Sequence, residues 1–138
     1  MITVFQKSIR DTSVKKLKEP KAGSWINVEN PNEQEIEKLV KEHKLEHGHI
    51  KDALDPYEVP RLEFEGKTAY IFTRIATGDA EKMITFPLLV IITQTSIITV
   101  SSKQPPFVKK FVDGAIDFST TQKTKLFLQI FSEINRTY

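Results

Sequence analysis

The segment "FPLLVIITQTSIITV", Phe86 to Val100, constrains the fold of this chain more than any other. Two continuous apolar runs rich in β-branched residues flank a polar break, Thr93 to Ser96. Such runs read as paired strands around Gln94 and Thr95, and unbroken apolarity means burial on both faces rather than one. A sheet with such strands at its centre needs helices on each side. The same segment is too short to cross a bilayer, given its polar break and Pro87.

The rest of the chain supplies the other parts. Residues 2–8 and 14–17 have the short alternating texture of strands, with "RDTS" turning between them, and "SWINV", Ser24 to Val28, is a third strand. A helix start follows directly. Asn30 is placed to cap it, Pro31 suits the first helical position, and Glu33 completes the capping pattern. Ile36, Leu39 and Val40 then form an apolar stripe, and this helix is expected to end near Leu45. Gly48 breaks the pattern, and a second short helix is expected over roughly His49 to Leu54, closed by Pro56 and Pro60. From Arg61 the period becomes two, "GK" turns the chain, and Tyr70 and Phe72 continue on the returning strand. "TGDAEK" reads as a loop.

Phe107, Val108, Phe111 and Val112 predict a helix ended by Gly114. The last predicted helix, Thr120 to Tyr138, carries a stripe of Phe127, Ile130, Phe131, Ile134 and Tyr138, widened by Leu126 and Leu128. The expected fold is α/β (α+β): a mixed sheet covered by helices on both faces.

Charge narrows the function. Twenty Lys and Arg against 18 Asp and Glu give a net charge of +2, without the basic surplus of a nucleic-acid binder. The one basic run, "VKKLKEPK", reads as an edge strand or hairpin whose lysines discourage aggregation. No cysteine is present, which removes thiol nucleophiles and Cys-type zinc sites and fits a reducing compartment. The first ten residues lack the pattern of a signal peptide. His43, His47 and His49 suggest zinc by spacing, but Gly48 interrupts a common helix, and exposed histidines at a helix–helix junction are the simpler expectation.

The acids of "KDALDPYE" are the remaining candidates. Asp52 and Asp55 are three apart and would share the face of a helix. Hard carboxylates so placed suit Mg²⁺, which keeps most of its waters, or a general acid and base. No nucleophile motif or Gly-rich phosphate loop accompanies them, and Lys51 stands beside Asp52. A solvated helix end, a metal site, and a hydrolase using both aspartates and a histidine all remain open on these residues.

Three stretches taken in order resemble a known family: "SWINVENPNEQEIEKLVKEHKL", "IKDALDPYEVPRLEFEGKTAYIFTRI" and "PLLVIITQTSIITV". Together they are similar to the N-terminal cytosolic domain of the CorA family of Mg²⁺ transporters. The resemblance implies a non-enzymatic domain at the intracellular end of a funnel-shaped homopentamer. Residues 1–118 would be the regulatory domain, and 119–138 the beginning of a helical stalk leading to two membrane helices. The family's Gly-Met-Asn pore signature does not occur in this chain. By the same resemblance Asp52 matches a position that binds regulatory Mg²⁺ between neighbouring subunits, with partner carboxylates on the adjacent stalk. Some relatives carry an acid where this chain has Lys51, and Asp55 is the substitute ligand available nearby. Binding by the isolated domain is expected to be weak, since half of each site is missing. The alternative is a freestanding soluble α/β interaction module.

Overall fold

The two apolar runs form the middle of a seven-stranded mixed sheet. In the computed structural model, which describes residues 1–78 and 81–136, the strands are β1 (Ile2–Gln6), β2 (Lys15–Leu17), β3 (Trp25–Glu29), β4 (Arg61–Glu65), β5 (Thr68–Gly78), β6 (Met83–Ile92) and β7 (Ile97–Ser101). Their order is β2-β1-β3-β7-β6-β5-β4. Every pairing is antiparallel except β3 with β7, which run parallel with Trp25 beside Ile97 and Asn27 beside Thr99. The Thr93 hydroxyl accepts from the Ser96 amide at 3.0 Å and organises the tight turn joining β6 to β7. Pro87 lies just past the β7 register, which begins at Leu88–Ser101, so one side of β6 has no ladder partner there. The lysine-bearing β2 is indeed an edge strand.

Four helices cover the sheet: α1 (Glu33–His43), α2 (His47–Ala53), α3 (Pro106–Val112) and α4 (Lys123–Arg136). Successive residues of β6 go to opposite cores, as period-two geometry requires. Leu89 and Ile91 join Ile36 and Leu39 of α1 and Ile50 and Ala53 of α2. Leu88 and Val90 join Phe107 and Phe111 of α3 and Leu126 and Ile130 of α4. The second core is the more aromatic, with Trp25 fully buried and edge-on to Phe111 and Phe118 at 5.8 and 6.0 Å. Both faces of the sheet are therefore buried, as the apolar runs demand.

Local details depart from the sequence expectations in instructive ways. The capping residue of α1 is Asn32, not Asn30, and its box partner is Glu35, not Glu33: Asn32 Oδ1 accepts from Glu35 N at 2.8 Å and Glu35 Oε1 from Asn32 N at 3.1 Å. The reason is the parallel ladder. It runs on to Glu29–Ser101, and the Asn30 amide is taken by the Ser101 carbonyl at 2.8 Å, so helix begins only two residues later. Asn30 itself adopts φ 43, the left-handed turn that asparagine tolerates.

Gly48 does not break α2 but lies inside it, and the helix starts at His47. Burial of Ile50 and Ala53 against the sheet holds this seven-residue helix despite glycine. In α4, Leu126, Ile130 and Ile134 form the buried line, while Phe127 and Phe131 are half-buried and meet edge to face, their centroids 4.8 Å apart. Leu128 is 60% exposed and does not widen the stripe. Two residues along a helix turn about 200°, which sends Leu128 away from Leu126. The final stripe position, Tyr138, and part of the "TGDAEK" loop fall outside the described residues.

Candidate functional site

Helix α2 ends at Ala53, with Leu54 as its C-cap, so Asp52 lies in its last turn and Asp55 lies beyond it. The two aspartates do not share a helix face. They stand at the ends of a turn closed by Asp55 N donating to Asp52 O at 3.1 Å, and a second turn follows with Glu58 N donating to Asp55 O, also at 3.1 Å. The Asp55 carboxylate turns back on its own loop: Oδ1 accepts from Tyr57 N at 3.0 Å, the short-range bond that aspartate makes in turns. Pro56 and Pro60 keep this loop from becoming helix. Arg74 of β5 pins it from below, donating from Nη1 to the carbonyls of Pro56 at 3.0 Å and Glu58 at 2.9 Å.

The partner of Asp52 is Arg61, the first residue of β4. Arg61 Nη2 donates to Asp52 Oδ2 at 2.8 Å, Nη1 donates to Glu58 Oε1, and Nε lies 3.3 Å from Glu63 Oε1. The register sets Arg61 beside Phe72, and the guanidinium carbon sits 3.8 Å from that ring's centroid. Desolvation opposes the charge on Arg61, but the hydrogen bonds it donates to Glu58 and Asp52, with their charges, outweigh it and hold its pKa above the ordinary value. Lys51 does not neutralise Asp52; its ammonium is paired with Glu33 at the start of α1.

Of the three histidines, His47 is exposed as expected, whereas His43 and His49 are partly buried. His49, 13% exposed, packs on Tyr70 and Phe72 at 4.5 and 5.7 Å between ring centroids, with Nε2 3.5 Å from Glu65 Oε1. His43 is half-buried with its Nε2 enclosed and unbonded. Desolvation pushes its pKa below the usual histidine value, partly offset by the nearby charge of Glu42. Tyr70 completes this region by accepting from Glu46 N at 2.9 Å, and burial raises its pKa.

Among the described residues, no group of three or more His, Cys, Asp or Glu side chains is close enough together to hold a metal ion. Asp52 nevertheless has the chemistry of a single ligand. Its side chain is 46% exposed, and one carboxylate oxygen is engaged by Arg61. A hydrated divalent cation needs only one or two such oxygens from any one surface, and Asp52 has the free oxygen to supply one. Asp55 contributes a second surface carboxylate at the same loop.

A family model described as "CorA-like Mg2+ transporter protein" matches residues 20–138. The chain belongs to this family. Its fold is that of solved CorA structures. The complete CorA magnesium transporter from Methanocaldococcus jannaschii aligns with a TM-score of 0.79 at 22% identity, over 100% of this chain and 45% of that one. The soluble domain of CorA from the same organism aligns with a TM-score of 0.81 at 22% identity, over 100% of this chain and 57% of that one. The ZntB cytoplasmic domain from Vibrio parahaemolyticus aligns with a TM-score of 0.69 at 9% identity, over 98% of this chain and 57% of that one. No curated protein matches the chain. This CorA-like chain thus spans about half the length of the structures it resembles. None of its described helices is long and apolar enough to cross a membrane.

Arg61 is the site residue that the sequence pattern misses. Its pairing with Glu58, three residues back, is a local signal. Its pairing with Asp52 depends on the double turn through Asp55 and Glu58, which no periodicity reveals.

Proposed function

We propose that this CorA-like chain is the cation-sensing part of a divalent-cation transport protein, and that its role is binding rather than catalysis. The observation that carries the proposal is Asp52: a half-exposed carboxylate held at the tip of α2, in a chain whose family is one of Mg²⁺ transporters. The sensing domain lies on the cytoplasmic side, and residues 119–138, whose helix α4 closes one face of its sheet, begin the helical region that leads towards the membrane. Other copies of the same protein, assembled as a pentamer, supply the opposing carboxylates.

The physical chemistry is direct. Carboxylates facing one another across a subunit boundary repel, and each disfavours the ionised form of the other. A bound Mg²⁺ relieves that repulsion and holds the subunits in one arrangement. When intracellular Mg²⁺ falls, the ion leaves and the population shifts to other arrangements. Asp52 is the principal ligand and Asp55 the auxiliary one. The isolated chain binds Mg²⁺ weakly because only its share of each site is present.

The test is protease protection of the assembled protein. Mg²⁺ is expected to slow cleavage of the wild type, and Asp52→Ala to remove most of that protection while circular dichroism stays native. Protection by Mg²⁺ that is unchanged in Asp52→Ala would refute the role of Asp52.

A further inference from the structure

We propose that Arg61 is a built-in competitor for the cation site: its guanidinium holds the Asp52 carboxylate in the ion-free state and sets how much divalent cation is needed to take it. This rests on the reading of Asp52 as a cation ligand and specifies how that ligand is regulated. Arg61 is a positioning residue here, acting on the cation through Asp52.

Three features make Arg61 suited to the role. The first is that it is already in place. Its three donor nitrogens face Asp52, Glu58 and Glu63, and its flat face rests on Phe72, so the guanidinium is oriented before any cation arrives. A divalent cation approaching Asp52 therefore meets a fixed positive charge 2.8 Å from Oδ2, and like charges sharing one carboxylate repel. The second is that Arg61 is not stranded if Asp52 leaves it. Glu58 and Glu63 remain as partners, so giving up Asp52 does not leave an unpaired charge, and the exchange is reversible rather than prohibitive. The third is that Arg61, and not the neighbouring lysine, is the cation paired with Asp52. Lys51, adjacent to Asp52 in sequence, is committed to Glu33.

The experiment is a Mn²⁺ titration of the chain, with free ion followed by electron paramagnetic resonance, on the wild type, Arg61→Met, Asp52→Asn and the double variant. Methionine keeps the apolar contact with Phe72 and removes the charge. Arg61→Met is expected to bind Mn²⁺ at least about tenfold more tightly than the wild type, since a neighbouring charge shifts ionic equilibria by that order or more. Asp52→Asn should abolish the gain, and Arg61→Lys, which restores the charge, should return affinity towards the wild-type value. Rescue by lysine separates competition from a merely structural role.

Equal affinity in wild type and Arg61→Met, with both lost in Asp52→Asn, overturns the competitor proposal while leaving Asp52 as a ligand. Weaker binding by Arg61→Met also overturns it and makes Arg61 a support for the site. Binding that ignores Asp52 in all four proteins overturns the ligand assignment itself. No binding by any of the four refutes the competitor, because freeing Asp52 must then expose no affinity, and leaves the ligand role to the protease assay. If Arg61→Met fails to fold, Arg61→Gln carries the same test.

Discussion

A polar chain crosses the heart of the sheet, and Thr99 is its centre. Trp25 Nε1 donates to Thr99 Oγ1 at 2.9 Å, and Thr99 Oγ1 donates to Asn27 Oδ1 at 2.8 Å. Asn27 Nδ2 then donates to Glu29 Oε2 at 2.6 Å, which carries the chain towards the surface. Trp25, Thr99 and Asn27 are all buried. Thr99→Val keeps the β-branched shape that suits the strand but removes the hydroxyl. It strands the indole N–H and one lone pair of Asn27, neither of which water can reach.

An orphaned buried polar group costs about 1–3 kcal/mol. Two such groups, with some relaxation, set the expected loss at about 3 kcal/mol. For a chain of this length the unfolding entropy is roughly 0.3 kcal/mol/K, so Tm should fall by about 10 °C. Thr99→Ser is the control: it keeps both hydrogen bonds, removes one methyl, and should cost only about 1 kcal/mol. The assay is urea unfolding followed by fluorescence, for which Trp25 is the single tryptophan. Unchanged m-values would show that the denatured state is not the cause. A Thr99→Val protein within about 0.5 kcal/mol of the wild type, or more stable than Thr99→Ser, would refute the polar-chain argument.

Two further predictions concern α1. Asn32→Ala should cost about 1 kcal/mol through loss of the capping box, whereas Asn30→Gly, at φ 43, should change stability by only a few tenths of a kcal/mol; urea midpoints of the two variants settle which asparagine is the cap. His43 has its folded-state pKa depressed by desolvation, so the unfolded chain binds the proton more readily. Its contribution is therefore fully present above the ordinary histidine pKa and is lost as pH falls from there through the depressed folded value. The stability difference between wild type and His43→Leu should be flat above neutrality and move against the wild type as pH drops towards 5, as measured by urea unfolding at a series of pH values. A difference that does not vary with pH would refute burial of the neutral imidazole.

The parts legible in the sequence are those that depend on one element's own pattern. The apolar run Leu88–Ile92, with Ile97–Val100 broken only by Thr99, implied a sheet buried twice over, and the two cores deliver it. What stayed hidden depends on where one element stops another. Asn30 looks like a cap until Ser101 takes its amide, which requires knowing that β3 and β7 run parallel. Gly48 looks like a break until Ile50 and Ala53 anchor the helix around it. His49 looks like a surface residue until Tyr70 and Phe72 are known to lie under α2. The candidate site shows the same division. Asp52 was visible as an acid at a helix end. The Arg61 guanidinium against it was not, because nine residues and two turns separate them.

The same geometry indicates how a sensor built this way must report. Asp52 is carried on a helix whose Ile50 and Ala53 are fully buried in the sheet core, and Arg61 begins a strand hydrogen-bonded to β5. Asp52 cannot travel far without opening that core, where packed interiors resist small displacements, and Arg61 is held by the β4–β5 ladder and the Phe72 ring. Exchange of Arg61 for a cation at Asp52 is therefore a change of charge at an almost stationary surface. On the proposed function, the consequence falls on whatever faces that surface: when the cation leaves, Asp52 returns to Arg61 and the ionic bridge to an opposing carboxylate is lost. On that proposal the domain acts as a rigid electrode, and the motion belongs to the boundary between subunits. A Mg²⁺ titration should then leave the amide exchange of β6 and β7 unchanged even as the assembly's protease sensitivity changes.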